Sequence, residues 1–319
     1  MQLPLVKNIE NKILEDWIEY QYLFIEFQSK FLTNLHVRYQ GIDNGNLVLY
    51  FAKQTHQDIL RKKDYDLNFN ISYEKFWENH QETKTQNKSL IKIAESTLLP
   101  KETTRRKILH LIKQKVLNKN NRCIRWLPSE QYKQSYNLLI DTEIEEVCKL
   151  ISFVCKKIDF SISKEEVKKE IKKKFSFYWF HFLDAQLGSL RLWSKQFKDL
   201  ELILILLQVL HLYAAKLKRK NISHKNFFDN PSLLKNFISE SISATSIAEI
   251  TSIPRATCVR KLEHLVKMKV ILQDKNSKRY YLIPNTISED LISREITEKV
   301  SKLFSEFYFI CIRAISSKT

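Results

Sequence analysis

The chain has 319 residues, with 53 lysines and arginines against 36 acidic residues and a formal net charge of +17 at pH 7. Three glycines and six prolines leave few residues for glycine-rich phosphate loops or for the tight turns of an all-β fold, so a mainly helical fold is expected. The positive charge favours a polyanionic partner, and nucleic acid is the commonest polyanion in a cell. A lysine-rich genome would raise the total equally, so the placement of the charge matters more.

Apolar residues at helical spacing predict three helices before the first motif: a long amphipathic helix over residues 8–35, a second over residues 46–63 and a short one around residues 73–80. The next segment, residues 93–108, aligns without a gap with residues 247–262. Extended to Val116 and Val270, the alignment contains 13 identities in 24 positions. This similarity indicates a tandem duplication, and its function should lie in what the copies share.

The duplication predicts two halves, residues 1–160 and 161–319, each long enough to bury its own core. The motifs cover about residues 89–128 and 243–284. A helix over residues 142–157 closes the first half. The second half begins with a capping box at residues 163–166 and ends in a helix over about residues 288–314.

Each motif has the pattern of two short helices joined by a turn. In the second copy a helix around residues 246–251 is expected to start with a capping box from Ser246 to Glu249, and Pro254 to start the next helix. The helical period places Cys258, Leu262 and Leu265 on the inner face. The outward residues are then Arg255, Ala256, Val259 and Arg260.

After each motif, two β-prone runs flank a polar stretch and predict a hairpin. Its basic tip residues could contact phosphate or the minor groove; they are Lys119 and Arg122 in the first copy and Lys275, Lys278 and Arg279 in the second. Residues 101–119 contain seven basic residues against one acidic residue, and residues 255–279 contain eight against two. Positive charge is therefore concentrated on the two motifs.

Residues 247–262 resemble the winged helix-turn-helix of bacterial transcription regulators of the IclR, MarR and catabolite-activator groups. The first copy resembles it less closely, because Leu98 stands in the turn and Thr104 at the core site. Ser252 and Leu98 both replace the glycine common at that turn, so a different turn geometry is expected. The flanking helices suggest a MarR-like arrangement, in which helices outside the wing domain form the dimer interface.

This resemblance implies which side chains read the DNA. The groove-reading residues would be Lys101, Glu102, Arg105 and Arg106 in the first copy and Arg255, Ala256, Val259 and Arg260 in the second. Thr103 and Thr257 would contact phosphate. Because the two sets differ, the copies should prefer related but unequal half-sites.

The leading hypothesis is a sequence-specific transcription regulator that reads an imperfect repeat in double-stranded DNA, either as an intramolecular pseudo-dimer or as a homodimer. A plasmid-type replication initiator and a winged-helix protein-interaction module of a chromosome-organising complex stay open as alternatives. A further alternative is that only one of the two copies binds DNA.

An enzyme is not expected, because the sequence shows no glycine-rich phosphate loop, metal-ligand spacing or nucleophile-base pattern, and no cofactor or metal is assigned. Five cysteines without paired spacing suit a reducing compartment, so the predicted location is cytoplasmic and nucleoid-associated. The apolar run of residues 200–215 is interrupted by polar residues and too short to span a bilayer, which favours a buried or dimer-forming helix. A small-molecule effector site is an open alternative near Trp179, Phe180, Phe182 and Trp193, although such aromatics more often form core.

Overall fold

The computed structural model describes residues 5–62, 71–80, 89–120, 123–220, 240–282 and 294–316. These residues form a mainly helical molecule with two small antiparallel β-hairpins, as composition predicted. Arg122 and the predicted start of the last helix at Ser288 lie outside the described residues.

The first half contains seven helices and one hairpin within its described residues. In chain order they are α1 Val6–Glu15, α2 Trp17–Tyr39, α3 Ile42–Lys62, α4 Phe76–His80, α5 Leu90–Thr97, α6 Lys101–Lys113, β1 Leu117–Asn120, β2 Cys123–Trp126 and α7 Glu130–Lys157. The single long helix expected over residues 8–35 is wrong in one respect, because Asp16, at φ −103° and ψ 29°, separates α1 from α2. The closing helix α7 begins well before residue 142, since buried Tyr136 and Ile140 continue its apolar stripe.

The second half repeats this order. Its elements are α8 Lys164–Lys173, α9 Phe175–Phe197, α10 Leu200–Arg219, α11 Ala244–Thr251, α12 Arg255–Lys267, β3 Leu272–Gln273, β4 Tyr280–Tyr281 and α13 Arg294–Ser316. The capping box at Ser163 is confirmed, with reciprocal bonds between Ser163 and Glu166. The one expected at Ser246 is wrong: α11 starts two residues earlier, and the Ser243 hydroxyl accepts from the Ser246 N–H at 3.0 Å.

Four pairs of equivalent helices in the two halves have identical lengths. Helices α1 and α8 have 10 residues, α2 and α9 have 23, α5 and α11 have 8, and α6 and α12 have 13. Residues with left-handed backbone also recur at the same places, after α2 and α9, after α5 and α11, and before each hairpin; they are Gln40, Leu98, Lys115, Lys198, Ser252 and Lys269. The backbone repetition therefore extends well beyond the segments that align in sequence.

The buried apolar side chains of both halves form one continuous cluster rather than two separate cores. The helices pack reciprocally across it: α2 contacts α10 while α9 contacts α3, α1 contacts α13 while α8 contacts α7, and α5 contacts α9 while α11 contacts α2. In each pair of contacts, two helices touch in one place and their two equivalents from the other half touch in another. The interface of a two-fold symmetric dimer has this arrangement. The halves are thus related by a pseudo-two-fold exchange within one chain.

Individual side chains at equivalent positions of the two halves also make equivalent contacts. Lys53 on α3 forms an ion pair with Asp184 on α9 and lies over the Phe180 ring, 5.5 Å from its centroid. At the equivalent place His211 on α10 packs against the Tyr22 ring on α2, with centroids 5.1 Å apart. The Glu26 carboxylate raises the pKa of His211 there, although burial lowers it more.

Helix α10, Leu200–Arg219, is the one helix among the described residues that is long and apolar enough to cross a membrane. Most of it is buried inside the molecule, where it packs against α2, α9, α11 and α12. A buried core helix satisfies the same length and composition criteria, and the surroundings of α10 fit the buried helix expected from the sequence.

Candidate nucleic-acid interface

Each half carries the same exposed unit, consisting of a short helix, a turn, a longer helix and a hairpin. The first unit is α5, α6 and the β1–β2 hairpin; the second is α11, α12 and the β3–β4 hairpin. In both turns a non-glycine residue takes the left-handed conformation, Leu98 at φ 54° and Ser252 at φ 59°. The two turns therefore share one geometry, at a strain of about 1–2 kcal/mol for each residue.

The inner faces of α6 and α12 attach these units to the core. Thr104 and Cys258, at equivalent positions, are fully buried, as expected for a small core site. The Thr104 hydroxyl donates to the Pro100 carbonyl at 3.1 Å, and the Cys258 thiol donates to the Ile253 carbonyl at 3.4 Å. Leu262 and Leu265 are also fully buried, which confirms the predicted inner face.

The outward face of α6 exposes all four predicted groove-reading residues, Lys101, Glu102, Arg105 and Arg106. Two of them bind each other: the Arg105 guanidinium donates to Glu102 through Nη2 at 2.7 Å and through Nε at 3.0 Å. This hydrogen bond lowers the pKa of Glu102, although both groups are exposed. Arg105 is therefore neutralised on its own helix, and Arg106 and Lys101 carry the remaining positive charge of this face.

The outward face of α12 exposes Arg255, Ala256 and Arg260. Val259 was expected beside them, but it is partly buried and packs against the core. The face that α12 turns to the core is therefore wider than the three residues predicted for it, and contact of Val259 with DNA stays a prediction. The Arg255 Nε donates to the Thr245 hydroxyl at 3.1 Å, across the turn between the two helices.

Arg106 and Arg260 are the strongest pair of candidate reading residues. They occupy equivalent positions in α6 and α12, and both are exposed. Neither guanidinium forms a hydrogen bond or ion pair with any residue in the described part of the chain. Both are therefore available to an external acceptor, and guanine O6 and N7 form the acceptor pair that arginine binds best in a major groove.

A second pair of equivalent residues, Lys107 and Lys261, holds the helices in place instead. The Lys107 ammonium lies 3.4 Å from the Asp43 carboxylate in the first turn of α3. Lys261 is only 8% exposed and forms ion pairs with Asp199, which caps α10, and with Glu201 at 3.2 Å. From the sequence, both lysines were expected only to add surface charge. Their identity in the two copies was the signal that could have revealed the shared role.

The basic residues at the hairpin tips differ in their contacts with the rest of the chain. Lys119, Lys275 and Lys278 are exposed as predicted. Arg279 is instead held by Ser241, whose carbonyl accepts from Nη2 at 2.8 Å, beside the bridge that joins Ile242 to Tyr280. The two threonines expected to contact phosphate, Thr103 and Thr257, are partly buried at the start of α6 and α12.

The aromatic residues named as a candidate effector site separate in the structure. Trp179 and Phe182 are buried in the core, and Phe180 lies under Lys53. Of the four, only Trp193 lines an apolar cavity between α2, α9, α10 and α13. No group of three or more metal-ligating side chains occurs in the described part of the chain.

Comparison of the chain with protein-family models, with curated proteins and with solved structures gives no match. The functional assignment therefore depends on the chemistry of the two exposed units.

Proposed function

We propose that the chain is a tandem duplication of a winged helix-turn-helix unit and that it binds double-stranded DNA as a sequence-specific transcription regulator. The observation that carries this proposal is the equivalent pair Arg106 and Arg260, exposed on the outer faces of two helices of 13 residues. Each helix is flanked by a hairpin with an exposed lysine at its tip. A helix in the major groove with a basic wing beside it is an established way of reading a duplex.

The charge available for phosphate is smaller than the sequence count suggests. Lys107 and Lys261 bind carboxylates of the helical body, and Arg105 binds Glu102. Exposed lysines still surround both units; they are Lys101, Lys113, Lys115 and Lys119 in the first and Lys267, Lys269, Lys275 and Lys278 in the second. If about four phosphates are neutralised by each unit, log K should fall with a slope of roughly −4 per unit against log salt.

The pseudo-two-fold packing favours an inverted repeat. Two-fold symmetric regulators bind half-sites of opposite orientation, with centres one helical turn or about 34 Å apart when both reading helices meet one face of the duplex. The repeat should be imperfect, because Glu102 and Arg105 stand where the second unit has Ala256 and Val259.

The test replaces both reading arginines, Arg106→Ala and Arg260→Ala, and measures affinity for a selected site and for an unrelated duplex over a salt series. Each arginine–guanine contact contributes about 1–3 kcal/mol of discrimination, so the double variant should lose most of its preference for the selected site. Affinity for unrelated duplex should change little, because the surrounding lysines are intact.

Arg191→Ala is the matched control, since Arg191 is an exposed arginine on α9, outside both units. It should leave the preference unchanged. Preserved discrimination in the double variant would contradict the proposed reading faces. Enrichment of iterated repeats in place of one inverted repeat would favour the replication-initiator alternative.

A further inference from the structure

Two cavities lie at equivalent places in the two halves. The first is lined by α2, α3, α7 and α9, and the second by α9, α10, α13 and α2. Exchange of the halves converts one set of helices into the other. The lining positions also correspond, as shown by the pairs Leu35 and Trp193, Leu49 and Leu207, and Leu183 and Ile25.

Two large aromatic side chains of the first cavity have smaller counterparts in the second. Phe31 and Trp179 line the first cavity, which retains about 20 Å³. The equivalent positions of the second cavity hold Ser189 and Gln21, and about 70 Å³ is left although Trp193 stands where the first cavity has Leu35. Protein interiors are close-packed, so the larger void that accompanies these two replacements is a specific feature of this half.

The two cavities also differ in charge. Arg38 and Glu143 line the first, where burial raises the pKa of Glu143 to about 8. All the residues that line the second cavity are uncharged. A charged ligand would lose its hydration there without gaining a counter-ion, so the second cavity favours a neutral molecule.

Two glutamine side chains of the second cavity have hydrogen-bonding atoms without partners. Gln28 is only 6% exposed, and its Nε2 has no hydrogen-bond partner among the residues that the structure describes; the same holds for Oε1 of Gln21. A buried amide group left unpaired costs about 1–3 kcal/mol. One unpaired donor and one unpaired acceptor thus belong to side chains that line the same small apolar space, and an exchange of oxygen and nitrogen in both amides would preserve this pair.

We propose that this second cavity is a binding site for a small neutral aromatic molecule that carries a carboxamide or hydroxyl group. The apolar lining is rich in aromatic rings, with Trp17, Tyr20, Phe24 and Trp193 around it. A carboxamide can accept from Gln28 and donate to Gln21, which satisfies both orphan atoms. At about 70 Å³ the cavity is smaller than the roughly 150 Å³ that holds benzene. A single ring is therefore the largest body that it can take, and only after the partly buried Trp193 moves aside.

The test uses the full chain without DNA, so that its result is independent of the DNA-binding proposal. Benzamide and phenol at millimolar concentration should raise the unfolding temperature and shift the NMR signals of the cavity residues, whereas benzoate should not. Ser301→Ile places a larger apolar side chain in the lining of the cavity. This variant should remain folded and lose the benzamide effect.

Two further variants test the same cavity independently of Ser301→Ile. Ser189→Val narrows the cavity from α9 and should also lose the effect if Ser301→Ile does not fold. Gln28→Leu keeps the space but removes the amide, and should weaken benzamide about tenfold, which corresponds to the loss of one buried hydrogen bond. The proposal is overturned if benzamide binds no better than benzoate, or if the filled variants respond to benzamide as the unmodified chain does.

Discussion

The two exposed units share one backbone but distribute their charge differently. In the first unit Arg105 is bound by Glu102 on the outer face, and Lys107 meets one carboxylate at 3.4 Å. In the second unit the outer face lacks an acidic residue at these positions, and Lys261 is nearly buried between Asp199 and Glu201. The second unit is therefore more firmly attached to the helical body, while the first has an outer face that is partly self-neutralised. Two units of similar backbone can thus differ in the charge of their outer and inner faces.

The largest expected effect concerns the attachment of the two units. Lys261→Met removes an ammonium that neutralises two carboxylates at a nearly buried position, and should lower the free energy of unfolding by about 2 kcal/mol. Lys107→Met removes a partly exposed pair and should cost less than about 1 kcal/mol. Denaturant unfolding of both variants, followed by far-UV circular dichroism, measures the difference. Equal losses would contradict the proposed difference in attachment.

A smaller effect is expected from the ion pair on α6. Glu102→Gln releases Arg105 for a phosphate, so the dependence of log K on log salt should become steeper by about one unit. Affinity for unrelated duplex at low salt should rise accordingly. Glu249→Gln, an exposed acidic residue on α11, serves as the control for removal of one negative charge. An equal change in the two variants would show that Arg105 is not restrained by Glu102.

The smallest effect concerns the strained turn. Ser252 is exposed at φ 59°, a conformation that glycine adopts without steric cost. Ser252→Gly should therefore raise the free energy of unfolding by about 0.5–1 kcal/mol, after the loss of chain entropy is subtracted. Ser252→Ala keeps the Cβ atom and should give no gain. A glycine variant no more stable than the alanine variant would mean that the turn is relaxed with serine.

Local patterns predicted the units well, and long-range contacts explain what they missed. The prolines, the apolar period and the alternating hairpin runs located α6, α12 and both hairpins, because these signals act within a few residues. Two serines three residues apart compete to cap α11, and the sequence favoured Ser246 although Ser243 is the cap. The partial burial of Val259 and the ion pairs of Lys261 depend on packing against the rest of the molecule, which periodicity within one helix does not reveal.

The reciprocal packing of the halves was also beyond the sequence, since α1 to α3 and α8 to α10 share their lengths and contacts more than their residues. The boundary expected between the halves 1–160 and 161–319 falls in the segment between the end of α7 and the start of α8. The spacing of apolar residues predicted which helices are amphipathic. It did not predict that the contacts between helices would recur between their equivalents in the other half.

The most direct test of the account is selection of bound sequences from random duplex DNA by the full chain. We expect one imperfect inverted repeat whose half-sites are centred about one helical turn apart, with a guanine in each half-site that Arg106→Ala or Arg260→Ala makes dispensable. Recovery of a single half-site, of a direct repeat, or of no enriched sequence would contradict two equivalent reading helices arranged around a pseudo-two-fold axis.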